Sequence, residues 1–171
     1  MGTSAYRSWV EISLKQIAEN FQAVRDVVGA GVEVMPVVKA DAYRHGAIEV
    51  SRTLTAGGAR WLAVSNVDEG AILREHGIAT RILVMADFLP VERTRLLDCN
   101  LTPVIHSLGD IREWDRMAAE RKLAAPYHLK IDTGMGRLGA CASAREILDA
   151  VEVAKHAQLE GLMTHFASAA N

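Results

Sequence analysis

The run VVKADAYRHG, Val37 to Gly46, ends an apolar stretch in a lysine and turns at once into polar, turn-prone residues. Alternation along VEVMPVVK sets Met35, Val37 and Lys39 on one face and Pro36 and Val38 on the other, so Lys39 continues an apolar row. A lysine over an apolar floor loses hydration, its pKa falls, and the neutral amine becomes nucleophilic enough to form a Schiff base with a carbonyl. Taken alone, the plainer reading is a lysine snorkelling out of a strand end. KIDTGMGRLG, Lys130 to Gly139, gathers a lysine, an aspartate and an arginine around a glycine-rich turn, and GLMTHFASA, Gly161 to Ala169, carries His165 just past a strand-like run. GMGRLG also satisfies the dinucleotide pattern G-x-G-x-x-G, but it follows four strand–helix units instead of opening the fold, and no Gly-Lys-Ser/Thr follows it. Asp132 reads as a turn former or an acceptor behind the site, Asp41 as the residue that fixes its turn, and His45 as the start of a helix. His106, His128 and His156 lack ligand spacing, so no metal is expected. Cys99 and Cys141 are too few for a disulfide framework and read as inert packing residues.

These residues need elements to hold them. Between Val32 and Phe166 the pattern repeats: a short β-rich apolar run, a polar turn, then apolar residues at helical spacing. Strands are predicted at Val32–Lys39, Trp61–Ser65, Arg81–Met85, Leu101–Ile105, Tyr127–Ile131 and Leu159–Phe166. Helices are predicted at Ala47–Ala56, Val67–His76, Leu108–Lys122 and Ala144–His156, with Ser107 and Ser143 as N-caps. Ahead of them SLKQIAENFQAVRDVVG is amphipathic, with Leu14, Ile17, Phe21, Val24 and Val28 on one face and Gly29 as a C-cap, and should pack outside the sheet. SWVEIS reads as an isolated strand belonging to a different sheet or a neighbouring domain. A regular βα series closes into a (β/α)8 barrel or opens into a doubly wound sheet, and six strands fall short of a barrel's eight strands and ~250 residues. An incomplete barrel should leave open strand edges and an uncovered apolar interior, favouring poor solubility or association.

Composition narrows the function classes. The chain has 171 residues, half of them hydrophobic and 23% charged, with a formal net charge of -2. Lysines and arginines are scattered among acids, which argues against a nucleic-acid surface and for a small-molecule partner. No stretch approaches the roughly 18 apolar residues of a membrane span, and MGTSAYRSWVEI lacks a signal peptide's apolar core, so a cytoplasmic protein without a membrane partner is expected.

KADAYRHG closely resembles the pyridoxal-phosphate motif KADAYGHG of the alanine racemases. KIDTGMGRLG is similar to the family's fifth-strand motif and GLMTHFASA to its sixth, in the family's order and spacing, while SWVEI matches its opening strand. The resemblance implies a fold-type III α/β barrel, truncated after about six strands, spanning residues 13–171. Residues 1–12 would form a strand that pairs with a C-terminal β domain. It implies that Lys39 holds pyridoxal 5'-phosphate as a Schiff base and acts as one of two bases, and that Tyr43 reaches the cofactor phosphate. Arg137 would contact the cofactor's phenolic oxygen and help place the substrate carboxylate, which suits a planar guanidinium. His165 would sit beside the pyridine ring, and Lys130 is the lysine often carbamylated to orient the arginine. The implied reaction interconverts L- and D-alanine in a homodimer. The second base is a tyrosine of the family's C-terminal domain, so this chain by itself should racemise little or no alanine. A non-catalytic cofactor-binding barrel and a racemase or decarboxylase for another amino acid are the alternatives. One position departs from the motif: Arg44 stands where the family usually has glycine, and costs about 1 kcal/mol if the backbone there needs φ > 0, or adds a positive contact if that glycine gives room at the cofactor phosphate.

Overall fold

Polar caps start the long helices where the apolar periodicity begins. Ser13 Oγ accepts from Gln16 N at 3.1 Å ahead of α1 (Leu14–Val28), and the predicted caps Ser107 and Ser143 accept from Asp110 N and Glu146 N ahead of α5 (Leu108–Glu120) and α6 (Ala144–Val153). The computed structural model describes residues 7–169. Between α1 and α6 run α2 (Ala47–Ala56), β1 (Trp61–Val64), α3 (Val67–Glu75), β2 (Arg81–Val84), α4 (Arg93–Asp98), β3 (Thr102–Ile105) and β4 (Ala125–Lys130), and β5 (Ala157–Met163) closes the series.

The strands are all parallel and lie in the order β1-β2-β3-β4-β5, with partners such as Trp61↔Arg81, Val104↔His128 and Lys130↔Met163. A doubly wound sheet reverses its order at a switch point. Consecutive parallel order without reversal is instead an arc of an α/β barrel, with helices on its outer face.

Two layers of side chains follow from the strand period. Leu62, Val64, Ile82, Val84, Ile105 and Leu129 point toward the helices and pack with Leu96, Ile111 and Trp114. Trp61, Ala63, Leu83 and Val104 line the concave face, joined by Met35, Met85 and Met163. Near the start of the strands that face turns polar: the Arg81 guanidinium lies 3.8 Å over the Trp61 ring and pairs with Glu160 at 2.5 Å.

Two expectations change. Val32–Lys39 is not a full strand: it meets the sheet through one parallel bridge, Val37↔Ala63, with Ala63 N donating to Pro36 O and Val38 N to Ala63 O, both at 2.8 Å. Pro36 has no N–H to extend a ladder, and the chain turns away at Lys39. Residues 8–13 have no sheet partner among the described residues, in keeping with the expectation that the repeat does not use SWVEIS; residues 1–6 lie outside the described residues. On α1, Phe21 is buried and Leu14 and Ile17 are partly so, whereas Val24 and Val28 are 48% and 39% exposed, because the helix packs chiefly on α2 and nothing described covers its far side. Among the described residues no helix is long and apolar enough to cross a membrane, and no three His, Cys, Asp or Glu gather as a metal would require.

Candidate active site

Lys39 does not end a strand. It begins a six-residue turn, Lys39–Arg44, in which Ala40, Asp41, Ala42 and Tyr43 have φ between 51° and 56° and ψ between 41° and 48°, and Arg44 has φ 70°. These are left-handed helical values, each costing a non-glycine residue on the order of 1 kcal/mol. Local bonds offset part of this strain: Ala42 N donates to Val38 O at 2.9 Å, and His45 N donates to Ala42 O at 3.1 Å. Gly46 N donates to Asp41 O at 3.0 Å, and the Asp41 side chain accepts from Ala47 N at 2.7 Å. Asp41 therefore fixes the turn as expected. His45 does not open the next helix; it closes the turn, with Nδ1 2.7 Å from the Ala42 carbonyl, and α2 starts after Gly46.

Arg44 thus occupies a position of positive φ, where a side chain carries strain. Arg44→Gly should raise stability by about 0.5–1 kcal/mol, the relieved strain less glycine's greater unfolded freedom, read as a shifted urea midpoint at unchanged slope.

The second motif folds back on itself. Ala140 bridges to Ile131, with Ala140 N donating to Lys130 O at 2.8 Å and Asp132 N to Ala140 O at 3.2 Å. Asp132 accepts from the N–H groups of Gly134 and Gly136, each at 3.1 Å, so it is a turn former; those bonds, Gly136 first, hold its carboxyl below the usual range. A Cβ on Gly139 would stand 2.8 Å from Asp132 N, at φ +109°. Helix α6 begins only after Ser143, so the glycines shape this loop, closed by a parallel bridge, and not a phosphate loop at a helix start. Gly139→Ala should cost about 2 kcal/mol, measured by chemical unfolding.

Thr164 Oγ1, just past β5, lies 2.7 Å from Thr133 Oγ1 and donates to Ile131 O at 2.9 Å, tying the third motif to the second. Lys130 is only 7% exposed, and its ammonium donates to the Arg137 carbonyl at 2.5 Å.

These ties bring Lys39, Tyr43, Lys130, Arg137 and His165 to one cleft of about 400 Å3 at the C-terminal ends of the strands. Its other lining residues are Val37, Ser65, Met85, Ala86, Leu138 and Met163, so three cations and a phenol face an apolar floor and no carboxylate lines the wall. Such a cleft suits an anionic, partly apolar ligand. Lys39 is half-buried, while Tyr43, Arg137 and His165 are exposed at its mouth.

A scan against family descriptions matches "Alanine racemase, N-terminal domain" over residues 12–171. The chain belongs to the alanine racemase family. An alanine racemase of Carboxydothermus hydrogenoformans is 42% identical over 161 residues, 94% of this chain and 44% of the relative. The chain spans less than half the length of the curated racemases it matches. The structure of alanine racemase from Clostridium difficile 630 superposes with a TM-score of 0.89 at 30% identity, covering 96% of this chain and 44% of that one. That from Bacillus anthracis, solved with bound L-Ala-P, superposes with a TM-score of 0.83 at 30% identity, covering 97% and 44%.

Other expected residues fall elsewhere. Cys99 is half-buried and packs on the core, but Cys141 is exposed and is not a packing residue. His128 and His156 lie away from the cleft lining. His106 follows β3 and is buried; burial lowers its pKa, Asp87 and the Met85 and Ala86 backbone oppose this, and Lys130 adds to it. Sequence reasoning missed Glu69, whose carboxylate reaches the N–H groups of Ala40 and Ser65.

Proposed function

We propose that the chain is the cofactor-binding N-terminal part of a cytoplasmic, homodimeric alanine racemase, holding pyridoxal 5'-phosphate through Lys39. The observation that carries the reading is the carboxylate-free cationic cleft shared by three separate motifs. Its size, apolar floor and donors fit a flat aromatic aldehyde bearing a phosphate. When bound, that cofactor supplies an electron sink that makes the α-proton of an amino acid removable.

The chain's residues then divide the work. Lys39, half-buried in the cleft, would be the covalent anchor and the base that takes or returns a proton on one face of the substrate's α-carbon. The Tyr43 hydroxyl, exposed at the cleft mouth, would hold the cofactor's phosphate. The Arg137 guanidinium, carried on the glycine-rich loop, would offer two parallel donors to a carboxylate or phenolate oxygen. Lys130 holds this loop through the Arg137 carbonyl; carbamylated, it would present an anion to the arginine instead. His165, also at the mouth, would help hold the cofactor's ring. The relative with bound L-Ala-P supports a substrate of alanine's size.

Racemisation needs a base on each face, and the family resemblance assigns the second to a tyrosine of the C-terminal domain. The purified 171-residue chain, given cofactor and L-alanine, should therefore form little or no D-alanine. Robust turnover in a chiral amino-acid assay would contradict this division of labour.

A further inference from the structure

The left-handed turn after Lys39 contains no glycine until Gly46, so something besides sequence propensity must hold it. Its own hydrogen bonds close the turn on itself, and the bond from Val38 N to Ala63 O ties only the residue ahead of Lys39 to the sheet. One side chain ties the turn itself. Glu69, in the first turn of α3, accepts from Ala40 N through Oε1 at 2.8 Å and from Ser65 N through Oε2 at 2.7 Å. Ser65 directly follows β1 and lines the cleft. The Ala40 N–H belongs to the peptide that follows Lys39, so anchoring it fixes the lysine's own ψ.

Glu69 is well prepared for this. Its backbone N–H is held by Asn66 Oδ1 at 2.9 Å, and the positive end of the helix favours its carboxylate. Three residues after an N-cap, its ordinary target would be the N–H of Asn66 itself. It instead spans two segments 25 residues apart in sequence, Ala40 and Ser65.

We propose that Glu69 is a positioning residue for Lys39: its carboxylate clasps the left-handed turn to the end of β1 and sets the direction from which the lysine amine enters the cleft. The proposal rests on the reading of Lys39 as the cofactor lysine.

The test compares the unaltered chain with Glu69→Ala, which removes both acceptors, and Glu69→Gln, which keeps one. Pyridoxal 5'-phosphate is titrated by absorbance, its attachment to Lys39 is trapped with borohydride and located by peptide mass, and amide exchange at Ala40 and Ser65 is followed without cofactor. Glu69→Ala should bind about tenfold more weakly, with Glu69→Gln between, and both should speed exchange at the two amides. Ser143→Ala, which removes a distant helix cap, should lose comparable stability while leaving capture unchanged. Should Glu69→Ala fail to fold, the near-isosteric glutamine carries the comparison. No trapping on Lys39 in the unaltered chain would sink the reading of Lys39 and the proposal with it. Trapping in the unaltered chain, with capture and exchange equal in the Glu69 variants, would sink the proposal alone.

Discussion

Lys39→Ala should abolish covalent capture of pyridoxal 5'-phosphate, leaving only a weak, reversible association. Alanine removes the one amine that combines half-burial in the cleft with a place at its apolar floor, beside Val37, Met85 and Met163. Lys130 cannot replace it, because that ammonium is buried and spent on the Arg137 carbonyl. The remaining cations still attract the phosphate, so loss should fall mainly on the covalent step. Borohydride trapping followed by peptide mass should show the cofactor on the peptide containing Lys39 and nothing on Lys39→Ala. Label recovered on Lys130 in the variant would overturn this account. Lys39→Arg keeps charge and length but forms no imine at neutral pH, and should match the alanine variant in trapping while retaining more phosphate affinity.

Much of the positioning scaffold was legible because it rests on period and caps. Short β-rich apolar runs such as WLAV and RILV, helical spacing after Ser107 and Ser143, and regular recurrence of the two placed five strands and most of the helices between them. The cleft was legible as three motifs, although spacing alone could not say that they converge. What stayed hidden were backbone states with no residue-type signature. Ala, Asp, Ala, Tyr and Arg do not announce a left-handed turn, and Pro36 inside an apolar run looked compatible with a strand until its missing N–H limited the pairing to one bridge. Glu69 was hidden for a different reason: Asn66 followed three residues later by Glu69 has the form of an ordinary capping box, which masks a side chain that serves another segment. Val24 and Val28 continued a helical stripe correctly, but periodicity says which face is apolar and not what covers it.

Asp115 bears on stability through the start of β5, at the opposite end of the strand from the cleft. Its Oδ1 accepts from the N–H groups of Lys155, His156 and Ala157 at 2.8, 2.6 and 2.8 Å, fastening the start of β5 to α5. Burial alone would raise its pKa, yet the three donors, Ala157 foremost, outweigh this and hold the carboxyl below the usual aspartate range. Asp115→Ala strands three donors, partly reachable by water, and should cost about 3 kcal/mol; Asp115→Asn, which keeps one carbonyl oxygen, should cost about 1. The pH dependence has a definite sign. A carboxyl whose folded pKa is depressed stabilises fully above its unfolded value, near 4, and loses that contribution as pH falls through the folded value. The stability gap between the parent chain and Asp115→Asn should therefore be widest near neutrality and narrow below about pH 4 in urea unfolding. A gap that stayed constant through the acid range would mean that the carboxylate's charge contributes nothing to the fastening.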